Sequence, residues 1–539
     1  MEVKEMDIAA KSGFLFDYLE GHPSIGDCFD YSQTDNERFK KRVRDLKARS
    51  FPRDALVEHL YQTHNELPYN HAVKQNIEKL LDPQTVAVVG GQQAGLLTGP
   101  LYTVYKAMTI ILLAKEQERA LDVPVVPIFW VAGEDHDLEE VRFVYTNNGS
   151  AWKKSGLDIV DNMQSLSKTN LPVDKVSRWL DDVFKTLPET DYTEDLTAQI
   201  KGYLENSHSF VDFFSILMNW LFKDEGLILL DSDHPALRKV ETDYFMAMVD
   251  QVEELQKAQA EGEKRFSEKG YGDPISTDKE NAHLFYTVKN ERKRLDYKDG
   301  SFYVRGTDIQ LSKSELVDLI TKHPEHFSNN VVTRPIMQEM LLPVLTFVAG
   351  PGELRYWATL KPAFTLFNLK MPPLTPRMQM TIVPRHVQRW VEECGYSYES
   401  LLTGKAMDMK SEWLEAIEDY PIEEVVTKAE QSIRDAHKDI QLLANEMDDT
   451  LHKLSQKNEV MILDQLDFIK RKLKLHLEQK HSKALSKFDE ADSWLYPLKR
   501  PQERVIHPIL LLNLAGYDAI GRIMKQKLSL NPTHKLVFL

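Results

Sequence analysis

The sequence predicts an α/β protein: a parallel sheet interrupted by inserted segments, followed by a long antiparallel helical hairpin. Three observations carry that expectation. Short, continuously apolar runs recur, each ending in glycine or in ionisable residues, which is how strands buried on both faces of a parallel sheet read. Stretches of helical periodicity separate them. From about Ile422 the texture changes to apolar residues spaced alternately by three and four, the mark of a heptad seam. Together these describe a Rossmann-like core with insertions and a coiled-coil domain. At 539 residues the chain exceeds what one compact core accommodates.

The elements follow in order. The first eighty residues read as amphipathic helices. Four strands are then expected in "TVAVVGGQQ", "VPVVPIFWVAGEDHD", "GLILLDSDH" and "LLPVLTFVAGPGE", with helices over Leu101 to Arg119 and Phe210 to Phe222. Roughly ninety residues separate Asp137 from the third strand, and nearly a hundred lie between His234 and the fourth. Both exceed a plain crossover and imply inserted subdomains. The expected organisation is N-terminal helices and the first half of the core over 1–144, a first insertion over 145–210, and core over 211–254. A second insertion spans 255–328, the second half of the core 329–385, a helical domain 386–500, and a returning segment 501–539. In the second insertion Asp299-Gly300 suits a tight hairpin turn. In the helical domain Val426, Ala429, Ile433, Ala436, Ile440, Leu443 and Met447 form one seam. A break near "SQKNE" leads to a second helix through Leu466, Ile469, Leu473, Leu477, Ala484 and Phe488.

Composition narrows the function. A net charge of -16 disfavours a phosphate backbone as partner, so no nucleic acid is expected. Two cysteines, Cys28 and Cys394, give neither a disulfide framework nor metal-ligand spacing. The N-terminus lacks the pattern of a signal peptide, and no apolar run reaches the roughly 18 residues that span a bilayer. A cytoplasmic protein without a membrane partner is expected.

Chemistry-bearing residues gather at the strand ends. In "GGQQAGLLTGP" the glycines, including Gly95 and Gly99, permit close backbone approach, and Pro100 suits the first helical turn. The loop reads either as an anion cradle at a helix N-terminus or as a tight strand-to-helix turn. It matches neither the P-loop nor the dinucleotide pattern. Glu134, Asp135 and His136 end the second strand; Asp231, Asp233 and His234 end the third. Such clusters serve as metal ligands, as an ammonium site with acid–base work by His136, or as helix caps. Around the fourth strand stand Arg334, a carboxylate or phosphate clamp, then Gly352, Glu353 and Tyr356. Arg377 follows a further strand. At the base of the helical arm Arg385, Tyr496, Lys499 and Arg504 make either a second nucleotide pocket or a domain-junction salt-bridge network.

The segments "GGQQAGLLTGPLYTVYKA", "FWVAGEDHDLEEV", "VVTRPIMQEMLLPVLTFVAGPGELRYWA" and "PQERV" together resemble the bacillithiol biosynthesis cysteine-adding enzymes, nearly end to end. The resemblance implies a core similar to class I nucleotidyltransferases with connecting-peptide insertions. It implies a ligase adding L-cysteine to the amino group of glucosaminyl-malate, the last step of bacillithiol formation, and a homodimer through the coiled coil. It further implies ATP with Mg²⁺ for carboxylate activation and no tightly bound metal. Gln92 and Gln93 would then stabilise developing charge, His136 or Asp135 would deprotonate the attacking ammonium, and Arg334 or Arg377 would bind malate carboxylates or phosphates. Gln92-Gln93-Ala94-Gly95 stands where class I synthetases carry His-x-Gly-His, and Arg377 in "PRMQM" is the nearest counterpart of their Lys-Met-Ser-Lys-Ser loop. A second reading is a metal-dependent hydrolase of a small amide or sugar, using Asp135, His136, Asp233 and His234.

Overall fold

The computed structural model describes residues 1–7, 12–149, 151–417 and 420–539. Among the described residues the chain divides into two compact units, Met1–Ile382 with Gln502–Leu539, and Val383–Pro501.

The first unit is built on a five-stranded sheet: β1 (Val86–Gln92), β2 (Val125–Val131), β3 (Ile228–Asp231), β4 (Val344–Ala349) and β5 (Leu374–Pro376), in the order β5-β4-β1-β2-β3. Every pairing is parallel. β2 and β4 are buried along their whole length, which is why their runs are continuously apolar rather than alternating. From β1 the chain runs outward through β2 to β3, and later from β4 to β5 on the opposite side. The direction therefore reverses between β1 and β4, and a parallel sheet opens its ligand crevice beyond the carboxyl ends at such a reversal.

Helices α1 (Leu101–Leu121), α2 (Phe210–Leu221), α3 (Pro235–Val240), α4 (Thr333–Leu341) and α5 (Pro351–Trp357) flank the sheet strands. α1 is buried nearly all round, so its apolar run carries almost no amphipathic signal. α2 starts from a capping box in which Ser209 and Asp212 satisfy each other's backbone amides.

Phe143–Asn147 and Trp152–Gly156 pair as an antiparallel ribbon after β2. The second insertion is more than a hairpin. Asn281–Val288, Glu291–Lys298, Ser301–Val304, Gln310–Ser312 and Phe327–Asn329 form a five-stranded antiparallel sheet. Asp299-Gly300 makes one tight turn with both φ positive, and Lys289-Asn290 makes another of the same kind without glycine. The extreme N-terminus is a strand, Glu2–Met6, rather than helix. It pairs antiparallel with His534–Phe538, so the chain's two ends share a sheet.

In the second unit α6 (Ile422–Met447) and α7 (Asp449–Lys480) form the hairpin, and α8 (Ser482–Leu495) follows. The break falls at Asp448, not in "SQKNE", which lies inside α7. Asp448 is extended, and its carboxylate accepts the Thr450 amide at 2.7 Å, capping α7. Ser455 satisfies itself on the His452 carbonyl, so that polar stretch has no need to leave the helix. The seam differs too. It begins at Ile422 and Val426 as the spacing predicts, then passes through buried His437 and Ala444. His437 is held by the Asn458 side chain at 3.1 Å. Ile440, Leu443 and Met447 are consequently exposed, at 51%, 59% and 67%. Ala484 and Phe488 belong to α8. Among the described residues no helix is long and apolar enough to cross a membrane.

Candidate active site

At the reversal between β1 and β4 the central residue is Lys106, a lone lysine in the apolar first half of α1. It projects from α1, is 1% exposed, and its Nζ donates to Gly91 O (2.7 Å), Gln92 Oε1 (3.2 Å) and Glu353 Oε2 (2.6 Å). Burial pushes its pKa down, and Glu353 opposes that. Glu353 also accepts the Gly350 amide at 2.7 Å and so caps α5.

The glycine loop is a strained turn. Leu97, Thr98 and Gly99 all take positive φ, and a Cβ on Gly95 would meet Gly99 Cα at 3.0 Å. It is not the open anion cradle that one reading expected. Pro100 sits at the cap rather than inside the helix, and the Leu101 amide donates to the Ile506 carbonyl at 2.8 Å. The returning C-terminal segment thus occupies the place an anion would take. Arg377 is committed as well. It is buried and forms a two-pronged pair with Glu503, its Nη1 at 2.8 Å and its Nη2 at 2.5 Å, so it offers no free fork to a substrate. Arg377 and Arg504 lie 5.6 and 5.9 Å from the Tyr102 ring.

Beyond β2 and β3 a second constellation forms. Gln93 Nε2 donates to Asp135 Oδ2 (2.6 Å) and Glu140 Oε2 (2.7 Å), while Asp135 Oδ1 accepts the His136 and Asp137 amides. The adjacent glutamines therefore turn to different partners at the same end of the sheet, Gln92 towards Lys106 and Gln93 towards Asp135. His136 Nδ1 faces the Arg292 guanidinium at 3.0 Å. A guanidinium only donates, so Nδ1 accepts and the ring proton resides on Nε2. Burial and Arg292 both hold the His136 pKa below its ordinary value. His136 is thus a neutral donor through Nε2. This corrects its expected role as a base and leaves Asp135 for that work.

Glu134 is buried and accepts Arg238 Nη2 at 2.5 Å and the Asn329 amide at 3.1 Å. Arg238 also bonds Glu241 at 2.6 Å and lies 3.6 Å from Asp233. Glu134 and Asp233 are thereby tied into a buried ion cluster centred on one arginine. Asp231 accepts the Ser167 hydroxyl (2.9 and 2.8 Å), and burial with Asp233 nearby pushes its carboxyl up to about 7. Gly133 lies directly beneath that contact, where any side chain would collide with Asp231 and Ser167. His234 caps α3 by accepting the Ala236 amide at 3.2 Å and packs on His59 at 4.7 Å, a structural post rather than a site residue.

A cavity of about 390 Å³ joins part of this set. Of the expected residues, Glu134, Asp135, His136 and Arg334 line it; Arg292, Asn329 and Phe285 are additional. Arg334 is steadied by the Tyr356 hydroxyl, to which it donates at 2.5 Å. Gly352 has open space where a Cβ would stand. Arg385, Tyr496 and Lys499 belong to the second unit and Arg504 to the first. Tyr496 packs against Gly404, whose φ is positive. Among the described residues no three His, Cys, Asp or Glu side chains are arranged to hold a metal ion, so the hydrolase reading lacks a ligand set there.

Comparison with known proteins also divides the chain near residue 380, but assigns residues 502–539, which belong to the first compact unit, to the C-terminal domain. Residues 1–378 match the family described as bacillithiol biosynthesis BshC, N-terminal Rossmann-like domain, and residues 380–539 match its C-terminal coiled-coil domain. The chain is 44% identical over 528 residues to "Putative cysteine ligase BshC" of Shouchella clausii, covering 98% of each. It is 42% identical to the protein of that name from Halalkalibacterium halodurans over 537 residues, and 38% identical to that of Bacillus licheniformis over 538, both covering 100% of each chain.

Proposed function

This chain belongs to the bacillithiol biosynthesis BshC family, and on that premise we propose that it is a carbon–nitrogen ligase that adds L-cysteine to the amino group of glucosaminyl-malate, the last step of bacillithiol formation. The observation that carries the reading is the cavity beyond the strand ends, where Asp135, His136, Arg292 and Arg334 meet. In the proposed reaction the sugar amine attacks the activated cysteine carbonyl. The C–N bond forms, the bond from that carbon to its leaving group breaks, and the ammonium proton passes to Asp135. Gln93 holds Asp135 in place through Oδ2, and His136 Nε2–H donates to oxygen gaining charge.

Amide formation from a free carboxylate in water is uphill, so activation is required, and ATP with Mg²⁺ is the proposed source. The donors at the β1–β4 reversal are, however, satisfied within the protein. Lys106 has three acceptors, the Leu101 amide meets Ile506, and the Gly350 amide meets Glu353. These residues do not form an open phosphate cradle. The chain is further proposed to act in the cytoplasm as a homodimer through the coiled coil, a reading supported by the exposed apolar stripe of α6.

The test supplies purified protein with ATP, Mg²⁺, L-cysteine and glucosaminyl-malate and follows product by mass spectrometry alongside AMP, ADP and pyrophosphate. Asp135→Asn is expected to lower kcat by about 10²-fold or more, the range of a lost general base. Absence of product with the wild-type chain, or an unaffected Asp135→Asn variant, would refute the assignment.

A further inference from the structure

The first insertion sends one stretch of chain, residues 163–168, back across the ends of β2 and β3. The Leu166 amide donates to the Asp135 carbonyl at 2.8 Å and the Ser167 amide to the Gly133 carbonyl at 3.1 Å. The backbone on either side of Glu134 is therefore bonded to this strap. Two hydroxyls fix the strap in turn to the end of β3. Ser165 Oγ donates to Asp233 Oδ2 at 2.5 Å, and Ser167 Oγ to both oxygens of Asp231 at 2.9 and 2.8 Å. Lys168 Nζ adds an ion pair with Asp233 at 3.4 Å. The crossing leaves no room for a side chain, since a Cβ on Gly133 would lie 2.1 Å from Ser167 Oγ and 2.1 Å from Asp231 Oδ1.

The other end of the strap reaches the second insertion. Met163 takes φ 54, a left-handed conformation that side-chain-bearing residues rarely adopt, and its carbonyl accepts the Arg292 amide at 3.0 Å. Arg292 donates from Nη1 to His136 Nδ1 at 3.0 Å. One strap is thus bonded both to the backbone of Asp135 and to the residue that fixes the His136 tautomer. Little apolar burial holds it there. Asp161, Asn162 and Met163 are exposed, and Leu166 is the strap's one buried apolar side chain. Polar contacts decide where it lies.

We propose that Ser165 and Ser167 are positioning residues for the ligation, holding the strap against the strand ends so that Asp135 and His136 keep their reactive geometry. Neither serine lines the cavity. Both act through the backbone of the turn over residues 133–137. Gln93 fixes the Asp135 carboxylate, and the strap fixes its main chain. Rate depends steeply on such placement, because a reacting group misplaced by about 1 Å costs up to about 10²-fold. The two hydroxyls also ease a charge conflict: Asp231 and Asp233 stand close together, and each receives a donor from the strap. The inference rests on the ligase reading for the role of Asp135, and not for the geometry of the strap.

The test is a double-mutant cycle in the ligation assay, on the full chain, between Ser165→Ala with Ser167→Ala and Asp135→Asn. The paired serine substitution is expected to lower kcat about tenfold or more, while KM for L-cysteine and for glucosaminyl-malate changes by less than about twofold. In the Asp135→Asn background it should cost far less, because the group it positions is already gone. Hydrogen exchange read by mass spectrometry is the second measurement. The His136 and Asp137 amides, bonded to Asp135 Oδ1, should exchange about tenfold faster in the serine variant, with β1 and β2 unchanged. Where the pair lowers the melting temperature, each single serine variant carries the same cycle. Full additivity with Asp135→Asn, a raised KM without loss of kcat, or unchanged exchange in the turn would each overturn the proposal. The two readings fail separately. A wild-type chain that makes no product removes the ligase assignment, and exchange then decides whether the strap holds the turn. Faster exchange with an unaltered kcat removes the positioning role and spares the ligase.

Discussion

At the scale of single residues, buried charge separates the structural from the reactive. Lys106 holds β1 and α5 together through three acceptors. Replacing it by methionine strands Glu353 and the Gly91 carbonyl, a loss of about 1–3 kcal/mol in denaturant unfolding. Lys106→Met with Glu353→Gln should recover part of that loss, and strictly additive effects would show the pair to be uncoupled. Glu241 carries a pH signature. Burial, with Glu134 nearby, raises its carboxyl from 4.5 to about 7 although Arg238 opposes this. The folded chain therefore keeps a proton that the unfolded chain releases in that window. The stability this contributes is full below about pH 4.5 and is lost as pH rises through about 7. Glu241→Gln should flatten the decline in melting temperature between those values by about 2 °C or more. An unchanged slope would count against it.

Residue-level legibility was uneven for a physical reason. Asp135, Glu134, His136 and Arg334 could be read because they follow buried strands or open a helix, where a parallel sheet displays its polar groups. Lys106 had a signal, a lone lysine inside "LYTVYKAMTIILLA". Arg292 had none, since "NERKRLDYKD" reads as a solvated charged hairpin until the sheet buries one of its arginines.

At the scale of elements, strands and their order of appearance were legible from continuous apolar runs, and helix ends were not always so. The hairpin turn is decided by one cap. Asp448→Ala removes the acceptor of the Thr450 amide and should destabilise the second unit by about 1 kcal/mol, visible as a lower midpoint in helical circular dichroism. An unaltered midpoint would shift the turn's origin to packing. The seam shows the limit of periodicity. Apolar spacing through Ala436, Ile440 and Met447 is as regular as the path through His437 and Ala444, and the choice was made by the Asn458 partner on the opposite helix. The anion-cradle reading of α1 failed likewise, because Ile506, some four hundred residues away in sequence, supplies the acceptor.

At the scale of the whole molecule, the stripe left out of the hairpin seam is the basis for the proposed dimer. Ile440, Leu443 and Met447 on α6 continue into Leu454 and Met461 on α7, exposed at 61% and 58%. Leu443→Glu with Leu454→Glu should convert a particle of twice 62.3 kDa to one of 62.3 kDa by light scattering, with helicity retained. A wild-type chain already monomeric at micromolar concentration would remove that reading.

The sequence by itself determined the parallel core, the change to a helical arm and the strand ends that carry ionisable groups. Those features are local, written in burial periodicity and in the residues that end each run. Only the tertiary structure decided which charges are spent. It paired Arg377 with Glu503, closed the α1 terminus with Ile506, turned His136 into a donor and brought Arg292 from the insertion to the cavity. Each of those outcomes depends on a partner far away in the chain. Spacing along a sequence says which groups are present, whereas packing decides which of them remain free to meet a substrate.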